Sequence, residues 1–359
     1  MKQELKQMLA ELTAITGLAG QEQDVVRHLV GLLQPVADQV EVDRFGNIFA
    51  VKRGTSPGPR LMIAAHSDEI GAMVKSVEAN GFIRFHKVGG TLDPLLLGRK
   101  VLVNGHVGII GVKAGHMQTP EERTRVVASD NLYIDVGVDS AQAVAALGIK
   151  VGDPIVYVAE LDSLGGNPDR VFGKAVDDRI GCAVLVKLLA SLQEVEFAGE
   201  VHAVFTVQEE VGLRGATVAT HRVNPDLAIA VDTVPAGDTP DINTNKELPI
   251  YIGRGPVIQV LSGGGPRGFL LNPSVKRYLV EMAEQAQVPY QLSVFSGGNT
   301  DASAMHLVRD GILSAAITMP RRYSHSPVEM LDLNDAVHAL KLLRQLCLNL
   351  AAIGELSFI

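Results

Sequence analysis

The sequence predicts an α/β fold: a sheet covered by helices on both faces, split by a small β-barrel-like or sandwich-like insert. Three observations carry this. Apolar runs at 61–65, 201–207, 227–231 and 312–317 have the continuous texture of strands buried on both faces, not the alternation of half-exposed ones. Each run is followed by His, Glu or Asp. Residues 71–168 differ, with short β-like runs separated by Gly, Asp and Pro, a spacing that suggests a small barrel or sandwich.

Residues 1–18 and 20–34 read as two helices, the first opening with the amphipathic Met1-Lys2-Gln3-Glu4-Leu5-Lys6. Asp43-Arg44-Phe45-Gly46-Asn47-Ile48 reads as a hairpin turn between two strands. The run 61–65 stops at His66-Ser67-Asp68. Within the insert the β-like runs are 82–88, 100–103, 107–112, 131–136 and 154–157. Residues 173–181 precede an apolar helix over 182–192, so Asp177 and Asp178 sit at a helix N-terminus, where the dipole favours ionised carboxylates. The run 201–207 ends in Gln208-Glu209-Glu210-Val211-Gly212, and 227–231 stops at Asp232. The run 312–317 leads through Met319-Pro320-Arg321-Arg322-Tyr323 to Ser324-His325-Ser326. A last helix, about 333–353, carries Val337, Leu340, Leu343, Cys347 and Leu350 at core-stripe spacing. One domain is therefore expected in two parts, 1–70 and 169–359, around the insert 71–168.

At 359 residues the chain is long for a single domain, and 47% hydrophobic residues with 36 glycines suit a well-buried, turn-rich α/β design. A net charge of −8, with no basic cluster and no Trp, argues against nucleic acid as a partner. No apolar run reaches the ~18 residues of a membrane span, and the N-terminal helix lacks the apolar core of a signal peptide. Cys182 and Cys347 lie in apolar helical stretches and read as buried free thiols, so a cytoplasmic protein is expected.

Ligands of such sheets bind in the crevice outside the carboxyl ends of the strands. Here those ends carry His66, Glu209, Glu210, Asp232 and His325, with Asp177 and Asp178 joining from the helix. Side chains alternate along a strand, so the adjacent Glu209 and Glu210 have separate jobs: one could hold a cation while the other moves protons. Two imidazoles and four or five carboxylates on one rim repel unless cations sit among them. A mixed nitrogen and oxygen set of this size suits two divalent metals better than one. Spacing leaves Asp177 and Asp178 as equal candidates for the shared ligand. His28, His86, His106, His116, His202, His221, His306 and His338 lie outside these segments and read as core or surface residues.

Six segments together carry a family resemblance: His66-Ser67-Asp68-Glu69-Ile70-Gly71, the stretch 173–181, Glu209-Glu210-Val211-Gly212-Leu213-Arg214-Gly215-Ala216, Ala230-Val231-Asp232-Thr233, Gly297-Gly298-Asn299-Thr300-Asp301-Ala302 and Arg322-Tyr323-Ser324-His325-Ser326-Pro327. In this order, over most of the chain, they resemble the tetrahedral (TET) aminopeptidases, also called glutamyl aminopeptidases or cellulase-M-like proteins, of the co-catalytic di-zinc exopeptidase clan. Ser67, where a bulkier apolar residue is expected, is a departure that bears on pocket shape.

The resemblance implies a mixed-sheet zinc-exopeptidase sandwich, aminopeptidase activity on peptides, and two divalent metal ions per subunit, Zn first, with Co or Mn also fitting the ligand set. It implies Asp177 as the bridging ligand, His66 and Asp232 completing one metal, and Glu210 and His325 the other. Glu209 would be the general base that moves the proton of the attacking water to the leaving amine. Asp68 would accept the second N–H of His66, and the Asp177–Asp178 peptide would be cis. Gly297 to Asp301 would lie beside the substrate's N-terminal residue. The insert would drive oligomerisation, giving dimers that assemble into a twelve-subunit shell with inward-facing sites. Its short strands read as unable to build a large core, so Phe82, Ile83, Leu95, Leu96, Leu97, Val107, Ile109 and Ile110 need burial against a second copy. A metal-dependent amide deacylase or carboxypeptidase, and a non-catalytic assembly protein, are the competing readings. A glucanase suits the chain poorly, since its two free carboxylates are here committed to metal. The preferred N-terminal residue stays open, with Arg254, Arg267 and Arg322 read as surface arginines.

Overall fold

Four parallel strands form the centre of the larger sheet in the order Ala198–Thr206, Ser56–His66, Leu227–Pro235 and Ser314–Arg322. The computed structural model describes residues 1–264 and 268–358. The apolar runs are these strands, and Leu61, Ile63, Val201, Val204, Ile229 and Ile317 have no exposed surface. Antiparallel strands extend both flanks: Ile48–Arg53 and Gln39–Val42 on one, Glu329–Asp332, Asn167–Gly173 and Asp162–Leu164 on the other. Val257–Ser262, Phe269–Leu270 and Gln291–Phe295 branch from Ser314–Arg322, giving a mixed sheet of twelve strands among the described residues.

Helices Lys2–Ala14, Val176–Ser191 and Leu333–Leu348 pack on one another, the latter two also on the sheet, while Arg214–Val223 and Ala302–Met305 pack on each other and on the central strands. Val176–Ser191 is apolar nearly all round, as a helix wedged between a sheet and two further helices must be. The hairpin at Gln39–Val42 and Ile48–Arg53 turns where the Asp43 carboxylate accepts the N–H groups of Phe45, Gly46 and Asn47 at 2.9, 2.8 and 2.9 Å. Gly46 there holds φ at +111°, a conformation L side chains avoid.

Two strands continue past their expected ends. Asp232 lies inside Leu227–Pro235, and Ser314–Arg322 carries Pro320 and Arg321, because the two strands stay paired to Val234–Pro320 and Pro235–Arg321. The last helix stops at Leu348, and a 3-10 turn over Leu350–Glu355 replaces its expected final turn.

The insert closes into a six-stranded antiparallel barrel ordered Gly71–Val77, Ile83–Val88, Tyr133–Asp135, His106–Gly111, Lys100–Val103 and Pro154–Tyr157. Closure gives the short strands a shared interior, which buries part of the apolar set expected to need a second copy. Ile83, Leu96 and Ile110 are buried inside it with Val74, Phe85, Val101 and Ile134. Val107 and Ile109, on the outer face of one strand, remain 54% and 55% exposed. Leu97 is also exposed, and Phe82 and Leu95 are half-buried.

Candidate metal centre

Parallel pairing brings the carboxyl ends of the central strands to one rim. Thr206 and His66 are register partners, so the Glu209–Glu210 turn emerges beside His66. Asp232 pairs with Thr318 on the strand that leads to His325. Asp177 and Asp178 enter at the head of Val176–Ser191 in non-helical conformations, joined by a cis peptide. Gln208, Leu213, Tyr323 and His325 flank these residues with φ of 57°, 58°, 60° and 53°. Such backbone persists only where neighbours over-determine it. His66, Asp177, Glu209, Glu210, Asp232 and His325 line one cavity of about 1060 Å³, with Gly297, Gly298, Asn299 and Thr300 on its wall.

His66 Nε2 lies 3.4 Å from Asp177 Oδ1 and 3.9 Å from Asp232 Oδ1. His325 Nε2 lies 3.7 Å from Asp177 Oδ2 and 3.7 Å from Glu210 Oε2. Two ligand atoms of one tetrahedral zinc, each at ~2.0–2.2 Å from it, lie roughly 3.4 Å apart. The residues therefore fit divalent metals. His66, Asp177 and Glu210, and His66, Asp178 and Asp232, each offer atoms within 4.8 Å of one another. Asp177 turns one oxygen to each imidazole. Asp178 Oδ1 accepts the Gly181 N–H at 3.0 Å, whereas its Oδ2 is buried with no hydrogen-bond partner.

Charge points the same way. Burial raises the carboxyls of Asp178, Glu209, Glu210 and Asp232 well above their ordinary values, and they also repel one another: Asp232 acts on Asp178 and Glu209, and Asp177 on Glu210 and Asp232. Burial opposes charge on His66 too, yet Asp177, Asp68 and Glu209 hold it well above 6.5. Burial likewise works against Asp177, but Arg321 and the two imidazoles keep it well below the usual range.

Asp68 does more than its spacing from His66 suggests. The nearer acceptor for His66 Nδ1 is the Asp68 carbonyl oxygen at 3.2 Å, with Oδ1 at 3.6 Å. The carboxylate accepts the N–H groups of Glu209 and Glu210 at 3.0 and 3.1 Å, tethering the acid pair.

Other residues at the site escaped sequence reading. Thr233 Oγ1 donates to Asp177 Oδ1 at 2.8 Å. Thr206 Oγ1 donates to the buried Asp301 at 2.6 Å. Arg321, 4% exposed, pairs with Asp177 Oδ2 at 2.7 Å and with Glu329. Its neighbour Arg322 reads as a surface arginine; the signal for Arg321 is that the apolar run continues through Met319-Pro320, which keeps it on a buried strand. His221 also lines the cavity. Arg254 stacks 4.1 Å over the Tyr251 ring, and Arg322 gives its fork to Asp238 at 2.9 and 2.8 Å. Arg267 lies outside the described residues. Cys182 and Cys347 are free and buried.

The family described as M42 glutamyl aminopeptidase matches residues 46–342. A protein of Acetivibrio thermocellus is 36% identical over 343 residues, covering 95% of this chain and 98% of the relative. The glutamyl aminopeptidase of Lactococcus lactis subsp. cremoris is 32% identical over 363 residues and 99% of both chains. Among solved structures, aminopeptidase APDkam598 from the archaeon Desulfurococcus kamchatkensis superimposes with a TM-score of 0.92 at 36% identity, over 97% of this chain and 95% of its own. The Pyrococcus horikoshii TET1 peptidase, described as able to assemble into a tetrahedron or a large octahedral shell, matches at 0.85 and 32%, over 96% and 100%. Fold and relatives together define an enzyme of the aminopeptidase class. The chain belongs to peptidase family M42.

Proposed function

We propose that this chain is a di-metal-dependent aminopeptidase that releases N-terminal amino acids from peptides, with Glu209 as its general base. The observation that carries the reading is the convergence of two imidazoles and a set of buried, mutually repelling carboxylates at metal-ligand spacing on one cavity wall. His66 and Asp232 would hold one cation and Glu210 and His325 the other, with Asp177 shared between them; the orphaned Asp178 Oδ2 is a further donor on the His66 side. When bound, the two cations polarise the scissile carbonyl and lower the pKa of the nucleophilic water.

The chain's own groups do the rest. Glu209 takes the proton of the attacking water and delivers it to the departing amine. The Asp68 tether fixes where Glu209 stands, and the Asp68 carbonyl orients the His66 ring so that Nε2 faces the cluster. Zn is the first expectation for the metal, and Co or Mn suit the same donors. Cytoplasmic residence is supported by two buried free thiols, and among the described residues no helix is long and apolar enough to cross a membrane. Self-association is supported by exposed Val107 and Ile109 on the barrel and by the assemblies described for the Pyrococcus horikoshii relative.

The test is Glu209→Gln. The variant should keep both metals by elemental analysis and lose ~10²–10⁴ in turnover of an aminoacyl-anilide. Loss of a metal would make Glu209 a ligand, and wild-type activity that survives exhaustive chelation would remove the metal reading.

A further inference from the structure

Arg321 puts a fixed positive charge into the wall of the proposed metal cluster. It lines the same cavity as His66, Asp232 and His325 and is 4% exposed. Its Nη1 lies 2.7 Å from Asp177 Oδ2 and also bonds Glu329 Oε1. That Asp177 oxygen faces the His325 side at 3.7 Å, whereas Oδ1 faces His66 at 3.4 Å. Glu329 locks the arrangement, accepting the N–H groups of Asp177 and His325 at 3.0 Å each. A guanidinium enclosed in this way neither deprotonates nor swings to solvent.

We propose that Arg321 makes the two metal positions unequal, weakening the one formed by Asp177, Glu210 and His325 relative to the one formed by His66, Asp177 and Asp232. This rests on the two-metal reading above. Each carboxylate oxygen offers two lone-pair sites. On Oδ1, one site is used by the neutral Thr233 hydroxyl at 2.8 Å, which leaves the oxygen's charge in place for a metal. On Oδ2, one site is used by a cation, which neutralises that oxygen and repels a second cation sharing it. Glu329 offsets part of the guanidinium charge, so the penalty is smaller than the bare Coulomb interaction; a net effect on the order of ten- to a hundredfold in affinity remains. A bracing role alone would be met by the Arg321–Glu329 pair without contact to the shared ligand. The functional consequence is an enzyme that holds its first metal firmly and whose second responds to free metal concentration.

Calorimetric titration of the metal-free protein with Zn and with Co tests this. Wild type should bind two equivalents, the second at least about tenfold more weakly. Glu210→Gln should remove the weak step and spare the tight one. Arg321→Gln, which keeps a donor but no charge, should strengthen the weak step by about ten- to a hundredfold, and Arg321→Lys should keep the gap. Two equal steps in wild type, loss of the tight step in Glu210→Gln, or an unchanged or wider gap in Arg321→Gln would each overturn the proposal. Fewer than two equivalents in wild type would overturn the two-metal reading along with it. If Arg321→Gln does not fold by circular dichroism, Glu329→Gln decides: removing the carboxylate that offsets the guanidinium should widen the gap, and an unchanged or narrower gap would overturn the proposal.

Discussion

Asp68→Asn separates two roles for a fully buried carboxylate. If Asp68 acted mainly through the His66 imidazole, the substitution would cost metal at the His66 position. The geometry says otherwise: the nearest Nδ1 acceptor is the backbone carbonyl at 3.2 Å, which the substitution retains. What changes is the pair of bonds from Glu209 and Glu210 at 3.0 and 3.1 Å. Asn offers one oxygen, so one N–H loses its acceptor and faces an amide donor. A hydrogen bond to a charged group contributes ~1.5–3 kcal/mol, and a stranded buried donor costs a similar amount, so about 2–3 kcal/mol of tethering is lost when the broken bond is counted once. If Glu209 is the base, it then samples positions away from the reacting proton, and turnover should fall by about 10- to 100-fold, as for supporting partners of metal sites. Elemental analysis, turnover of an aminoacyl-anilide and a thermal melt decide the matter. Expected are full metal content, lowered turnover and a lower melting temperature. Loss of a metal at unchanged stability would return Asp68 to the imidazole role, and a fully active, fully stable variant would refute both.

Glu22 beneath the Glu209 turn accepts the N–H groups of Gly20 and Gln208 at 2.7 and 3.1 Å, and burial, aided by the charge of Asp68, pushes its carboxyl up to about 7 from 4.5. Because its folded value lies above the unfolded one, the folded chain binds more protons between pH 4.5 and about 7; stability should decline across that window as pH rises, by roughly 3 kcal/mol from this group. Glu22→Gln should flatten that part of the profile, and parallel melting-temperature curves for the two proteins from pH 5 to 8 would contradict it. Light scattering at micromolar concentration should give a multiple of the 38.2 kDa chain mass, with Ile109→Asp shifting it downward; a wild-type mass of one chain would defeat the oligomer.

What was legible in the sequence was local. Apolar runs ending in His, Glu or Asp reveal which residues reach a rim, since a parallel sheet aligns its carboxyl ends whatever the rest of the fold does. The Asp43 turn was legible because one side chain closes it onto its own neighbours. Contacts made across the fold were not. Asp68 lies two positions from His66 but 141 from Glu209, and spacing shows only the first relation. Arg321 and Glu329 meet because two antiparallel strands, Ser314–Arg322 and Glu329–Asp332, are paired. The barrel's core depended on closure of Gly71–Val77 with Pro154–Tyr157, strands some eighty residues apart that no local pattern connects.

The insert also reaches the proposed centre. Gly90 and Leu92, which follow the barrel strand Ile83–Val88, line the same cavity as His66 and His325. A Cβ at Gly90 would stand 2.4 Å from His325 Nδ1, so the connection that leaves the barrel runs close beside the imidazole whose Nε2 faces Asp177 and Glu210. His325 thus has Glu329 bonded to its backbone N–H and the Gly90 backbone beside its ring. The position that Arg321 is proposed to weaken is therefore the one in contact with the insert. Val107 and Ile109 lie on a barrel strand joined to Ile83–Val88 through Tyr133–Asp135, so the exposed apolar face and the Gly90 connection belong to one closed barrel, whereas His66 ends a central strand of the other sheet.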